Sequence, residues 1–129
     1  MILVDTSVWI EFLSGRDNRY YHTLYQLIED GEDIALTGII ITEILQGIKN
    51  ERDSNRTKEY LLRFPIYNPD TDTYILSSQI YKECQKQGKT VRKTIDCLIA
   101  AVAMENDLVL FHNDRDFDSI AACCELRVY

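Results

Sequence analysis

The chain has 129 residues, 46% of them hydrophobic and 27% charged, with a formal net charge of −7 and a pI near 4.7. That is the size of one ordinary domain, residues 1–129, with enough apolar content to close a single core, and it excludes a disordered chain. The acidic balance argues against a protein that grips nucleic acid through a general basic surface.

No apolar run approaches the roughly 20 residues that cross a bilayer, so no membrane association is expected. The start, Met1-Ile2-Leu3-Val4-Asp5, lacks a basic segment followed by a long apolar one, and the expected location is the cytoplasm. Cys84, Cys97, Cys123 and Cys124 form no C-x-x-C pair and have no His at zinc-finger spacing. They are expected to be reduced thiols serving as small core hydrophobes. The cations fall in two stretches: Lys49, Arg52, Arg56, Lys58 and Arg63, then Lys82, Lys86, Lys89, Arg92 and Lys93. Such stretches suit a phosphate backbone, and solvated helix faces explain them almost as well.

In chain order, Ile2-Leu3-Val4 reads as a short buried strand, stopped by the helix-capping set Asp5-Thr6-Ser7. Val8, Trp9, Phe12 and Leu13 mark a first helix. Tyr21, Leu24, Tyr25, Leu27 and Ile28 mark a second, closed by Gly31. Ile34-Ala35-Leu36 is a second strand, leading through Thr37-Gly38 into a helix over Ile39–Ile48. Arg52 to Leu62 is helical, and Ile66-Tyr67 is a weak strand before the Asn68-Pro69 break. Asp70-Thr71 caps a long helix to about Gln87, with Tyr74, Ile75, Ser78, Ile80 and Tyr81 as its apolar side. The clearest helix spans Thr94 to Asn106, because Ile95, Leu98, Ile99, Val102 and Ala103 trace one stripe. Leu108–Phe111 is a central strand, Asp116 to Cys123 a short helix, and Leu126–Val128 a last strand.

Strands alternate with helices, and the apolar runs are too continuous for a sheet with one wet face. The expected fold is α/β, a parallel sheet covered on both sides. In such sheets ligands bind beyond the carboxyl ends of the strands. Asp5 follows the first strand, and Asn113, Asp114 and Asp116 follow the Leu108–Phe111 strand on the same rim. Asp96 stands in the first turn of its helix, where the dipole favours a carboxylate. Glu43 lies in a helix that otherwise reads Ile39-Ile40-Ile41-Thr42 and Ile44-Leu45, where an ionised carboxylate is costly unless paired or bound to metal. Singly, each has a plain structural alternative: a cap, a turn, a dipole partner or an ion pair. Together they are what a hard cation such as Mg²⁺ or Mn²⁺ requires, a cage of oxygens from several elements. Such ions can activate water and stabilise a departing oxygen at a phosphodiester.

Four segments carry a resemblance. Leu3-Val4-Asp5-Thr6-Ser7-Val8-Trp9-Ile10 resembles the opening of PIN-domain proteins, particularly the VapC-type toxins of prokaryotic toxin–antitoxin modules. Thr42-Glu43-Ile44-Leu45-Gln46-Gly47 is similar to their second acidic motif. Thr94-Ile95-Asp96-Cys97-Leu98-Ile99-Ala100-Ala101 is similar to the third, and Leu110-Phe111-His112-Asn113-Asp114-Arg115-Asp116-Phe117 to the fourth. The resemblance implies a three-layer α/β/α sandwich around a parallel sheet of four to five strands, usually a homodimer. It also implies an endoribonuclease using Mg²⁺ or Mn²⁺, with a small VapB-type antitoxin whose C-terminal segment blocks the site.

Carried over, the acidic quartet is Asp5, Glu43, Asp96 and Asp114, with Asp116 as a further metal ligand beside Asp114. Thr6 and Ser7 are candidates to hold a carboxylate or to touch substrate, Arg92 to contact a phosphate, and His112 to end a strand. An aspartyl phosphatase would want a second acid two residues after the first, where Ser7 stands; a receiver domain would want a strand-end lysine that is missing. The remaining alternative is a PIN-like module that binds RNA or a partner without cutting.

Overall fold

The computed structural model describes all 129 residues. β1 (Ile2–Val4) lies at the centre of a parallel sheet, between β2 (Ile34–Ala35) and β3 (Val109–Phe111). Ile2 pairs with Ile34 and with Val109, and Val4 pairs with Phe111. β1 is buried along its whole length, as expected for an apolar run with helices on both faces.

The sheet has three strands rather than the four to five expected. The two missing edges are present as single parallel bridges, Leu36 to Ile66 and Leu110 to Val128. Leu36 donates to the Pro65 carbonyl and accepts from Tyr67 N–H, a ladder one residue long. Pro65 has no N–H to give, and Asn68-Pro69 ends the extended stretch, so pairing cannot propagate.

The helices are α1 (Thr6–Leu13), α2 (Arg19–Glu29), α3 (Gly38–Gln46), α4 (Glu51–Leu61), α5 (Thr71–Lys86), α6 (Thr94–Glu105) and α7 (Arg115–Cys123). Each begins within three residues of its expected start. Asp5, Asn18, Asn50, Asp70 and Asp114 cap α1, α2, α4, α5 and α7 with side-chain oxygens. α5 has a full capping box, with Asp70 and Thr73 bonded reciprocally, and Gly88 follows it at φ +75.

α5 departs from the sequence reading in its buried face. Thr73, Ser77, Ile80 and Cys84 point inward, whereas Tyr74, Ile75 and Tyr81 are 56%, 52% and 42% exposed. Small side chains on α5 face a helix whose buried positions include Ala100, Ala101 and Ala103, and the two make the most extensive helix–helix contact of the fold. Small residues on both sides let the backbones approach. Larger ones would hold them apart.

One continuous core of 28 buried apolar residues ties all ten elements together. Trp9, fully buried, is packed edge-on by Phe12 and Tyr60 and at a tilt by Phe64. All four cysteines are free. Burial, then a hydrogen bond with Cys123, pushes the Cys84 thiol up to about 12, and burial pushes Cys97 to about 11, so both stay protonated. No helix is long and apolar enough to cross a membrane.

Candidate active site

The carboxylates converge where the sequence pattern places them, beyond the carboxyl ends of β1 and β3. Asp5 leaves β1 and donates its N–H to the Phe111 carbonyl at 2.9 Å, which anchors it to the end of β3. Its Oδ2 accepts from Ser7 N (3.0 Å) and Ser7 Oγ (2.6 Å). Ser7 Oγ in turn accepts from Asn113 N at 2.9 Å, so one hydroxyl joins the first motif to the fourth. Thr6 Oγ1 donates to Glu43 Oε1 at 2.9 Å. Both hydroxyls are thus engaged in orienting carboxylates.

Asp96, Asp114 and Asp116 each offer an oxygen within 4.8 Å of the others. Asp96 comes from the first turn of α6; Asp114 caps α7, accepting from Asp116 N at 3.0 Å. Asp5 lies close enough to raise the proton affinity of Asp96. Glu43 stands at the edge of this group rather than within it. It is half-buried, not the deeply buried acid that an apolar helix suggests, because α3 buries only Ile40 and Ile44. Glu43 also lines a cleft of about 560 Å³ between α1, α3 and α4, with Ile10, Leu13, Ile44 and Arg56.

Among these carboxylates the least satisfied is Asp96. It is 3% exposed, and its Oδ2 has no hydrogen-bond partner. The nearest cation, Lys93 Nζ, is 3.7 Å away, beyond hydrogen-bond range. Burial pushes the Asp96 carboxyl up to about 7; Lys93 opposes this, and Asp114, Asp5 and Asp116 add to it. Burial raises Asp114 too, but the Asp116 N–H and Lys93 outweigh it and leave that carboxyl below the usual range. A buried acid without a donor, facing other acids, is the arrangement in which a hard cation replaces lost solvation. The donor set is all oxygen, as Mg²⁺ or Mn²⁺ prefers.

Arg92 Nε lies 3.3 Å from Asp116 Oδ2, so this cation borders the carboxylates as expected. Lys93, which the sequence reading leaves among the general basic residues, is also at the site: 3.4 Å from Asp114 Oδ2 and facing Asp96 and Glu43. The available signal was its position three residues before Asp96 and next to Arg92. His112 Nδ1 accepts from Asp114 N at 3.1 Å, and burial lowers its proton affinity. It ends its strand and fixes the turn.

Fold and site together define a parallel α/β domain with a rim of clustered carboxylates, an all-oxygen donor set of the kind a metal ion takes. The chain belongs to the PIN-domain family: the family model described as PIN domain matches residues 2–122. It is similar to Ribonuclease VapC11 of Mycobacterium tuberculosis, with 32% identity over 98% of this chain and 96% of that protein. A toxin–antitoxin complex from Klebsiella pneumoniae contains a chain 27% identical, superposing with a TM-score of 0.73 over 91% of this chain and 90% of that one. DNA-bound VapBC from Salmonella typhimurium shares the fold at TM-score 0.79 and 21% identity, covering 99% of this chain and 96% of its own.

Proposed function

We propose that this protein is a divalent-metal-dependent endoribonuclease that hydrolyses RNA phosphodiester bonds as the toxin of a toxin–antitoxin pair, working in the cytoplasm. The observation that carries the reading is the carboxylate trio of Asp96, Asp114 and Asp116 with the unpartnered buried oxygen of Asp96. The ribonuclease named among its relatives, matched nearly end to end, supplies the substrate class.

Asp96, Asp114 and Asp116, with Asp5 across from them, are the residues that would hold Mg²⁺ or Mn²⁺. When bound, such an ion supplies water activation at neutral pH and charge stabilisation at the phosphate. This chain's own contribution is alignment. Ser7 fixes Asp5, Asp116 N–H fixes Asp114, and Thr6 fixes Glu43 at the margin of the rim. In this reading Glu43, oriented by Thr6, is the carboxylate that would accept a proton from water. Arg92 can exchange its Asp116 contact for a phosphate oxygen of the RNA, which offsets the repulsion between the polyanion and the acidic rim.

The partner implied is a VapB-type antitoxin, and the cleft beside Glu43 supports it: an apolar floor of Ile10, Leu13 and Ile44 next to a negative edge suits an apolar segment carrying a cation. A homodimer is supported by the exposed Tyr74, Tyr81 and Ile95, which line one groove between α5 and α6. The deciding experiment is cleavage of RNA by the purified protein with Mg²⁺ or Mn²⁺, beside chelator and beside Asp96→Asn. Cleavage that needs the metal and disappears in the variant supports the reading. Full cleavage in chelator, or by Asp96→Asn, refutes it.

A further inference from the structure

Lys93 occupies the N-cap position of α6, where its ammonium, a donor with no acceptor, cannot cap the helix N–H groups. Its ammonium reaches across the rim instead, 3.4 Å from Asp114 Oδ2 and 3.7 Å from Asp96 Oδ2, with Glu43 acting on it as well. Arg92, one residue before, takes Asp116 at 3.3 Å. Two consecutive cations therefore touch all three members of the trio, in a chain whose net charge is −7.

The two differ in what they block. Lys93 sits on two acids at once, and one of its contacts is the oxygen of Asp96 that has no hydrogen bond. A divalent ion held by these carboxylates would lie within a few ångströms of the ammonium, where like charges repel strongly. The contacts that hold the lysine are those to the carboxylates themselves: its hydrogen bond to Asp114 is long at 3.4 Å, and its side chain is 54% exposed on a flexible four-carbon stem.

We propose that Lys93 is an internal competitor of the divalent ion for Asp96 and Asp114, and that on displacement its ammonium engages a phosphate of the bound RNA. The same charge then disfavours metal in the free protein and favours substrate in the loaded one. This inference rests on reading the rim as a metal-dependent nuclease centre.

The test uses Lys93→Met and Lys93→Arg in the full chain. Mn²⁺ binding without RNA is followed by titration calorimetry at fixed pH, and KM is measured on a short RNA at saturating Mn²⁺. Lys93→Met is expected to bind Mn²⁺ about tenfold more tightly and to raise KM about fivefold, with a flatter dependence on salt. Lys93→Arg, which keeps the charge, should stay near the parent in both. A single variant moving two affinities in opposite directions is a result that general damage does not produce, and an exposed lysine is a mild substitution.

Equal Mn²⁺ affinity in parent and Lys93→Met overturns the competition; an unchanged KM overturns the phosphate contact. If no folded form takes up Mn²⁺, the metal-centre reading fails with it. If all bind alike and cleave RNA, only the role of Lys93 is lost.

Discussion

Asp5 and Asp96 are both buried acids at the start of a helix on the same rim, yet their surroundings are opposite. Asp5, 5% exposed, caps α1 and accepts from Ser7 twice; Asp96, 3% exposed, has an oxygen with no donor in a helix whose N-cap side chain makes no cap. Asp5 serves the fold as well as the site. Asp96 costs the fold something, and cation binding is the proposed role that offsets the cost. The contrast separates two kinds of buried carboxylate that look alike in sequence.

Removing each acid should expose the difference. Asp96→Asn is expected to lower RNA cleavage about a thousandfold while leaving the protein folded and its melting temperature raised, measured at pH 8 in chelator. Asp5→Ala should lose cleavage to a similar degree but also lose about 1 kcal/mol of stability with its cap, seen in denaturant melts. Equal stability changes for the two would erase the distinction.

The next effect concerns pH. Since burial and neighbouring acids hold the Asp96 proton up to about 7, the folded protein keeps a proton that the unfolded chain gives up at the ordinary carboxylate value. The stability this group contributes is present at low pH and is lost as pH rises from about 4 to about 7. The melting advantage of Asp96→Asn over the parent should therefore be larger at pH 8 than at pH 5. Binding of a metal must expel the same proton, so Mn²⁺ affinity in the parent should rise up to tenfold per unit below about pH 7 and flatten above it. A flat profile from pH 5.5 to 7 would remove Asp96 from the ligand set.

The smallest effect belongs to Ser7. Ser7→Ala deletes the hydroxyl that joins Asp5 to Asn113 N–H and should cost about 1 kcal/mol, with cleavage about tenfold lower and the metal still bound. Cleavage at the parent level would show that the Ser7 backbone N–H alone aligns Asp5.

The convergence of Asp5, Asp96, Asp114 and Asp116 at the candidate site is legible because strand ends and helix starts announce themselves. Asp5 follows an apolar run and precedes cap chemistry; Asp114 and Asp116 follow another, and the structure brings both to Asp96. For Glu43 the cost argument overstates burial, since three isoleucines in a row cannot all face inward on one helix, and the residue stands outside the Asp96, Asp114 and Asp116 trio. Lys93 was missed because a lysine beside an arginine looks the same in sequence whether it meets solvent or a carboxylate across the rim. The α5 face was misread for a related reason. Its buried stripe contains Thr73 and Ser77, small polar residues that fit against the alanines of α6, while its larger apolar residues point outward. The Leu36–Ile66 edge is a single bridge because an apolar run sets burial, whereas ladder length depends on each N–H, and Pro65 has none.

Central to the proposed function is a divalent ion held by Asp5 after β1, Asp96 of α6, and Asp114 and Asp116 at the start of α7. Calorimetric titration of Mn²⁺ at pH 8 into the parent and into Asp96→Asn addresses it directly. Saturable binding in the parent, weakened at least a hundredfold in the variant, is the predicted result; indistinguishable binding curves for the two proteins would contradict it.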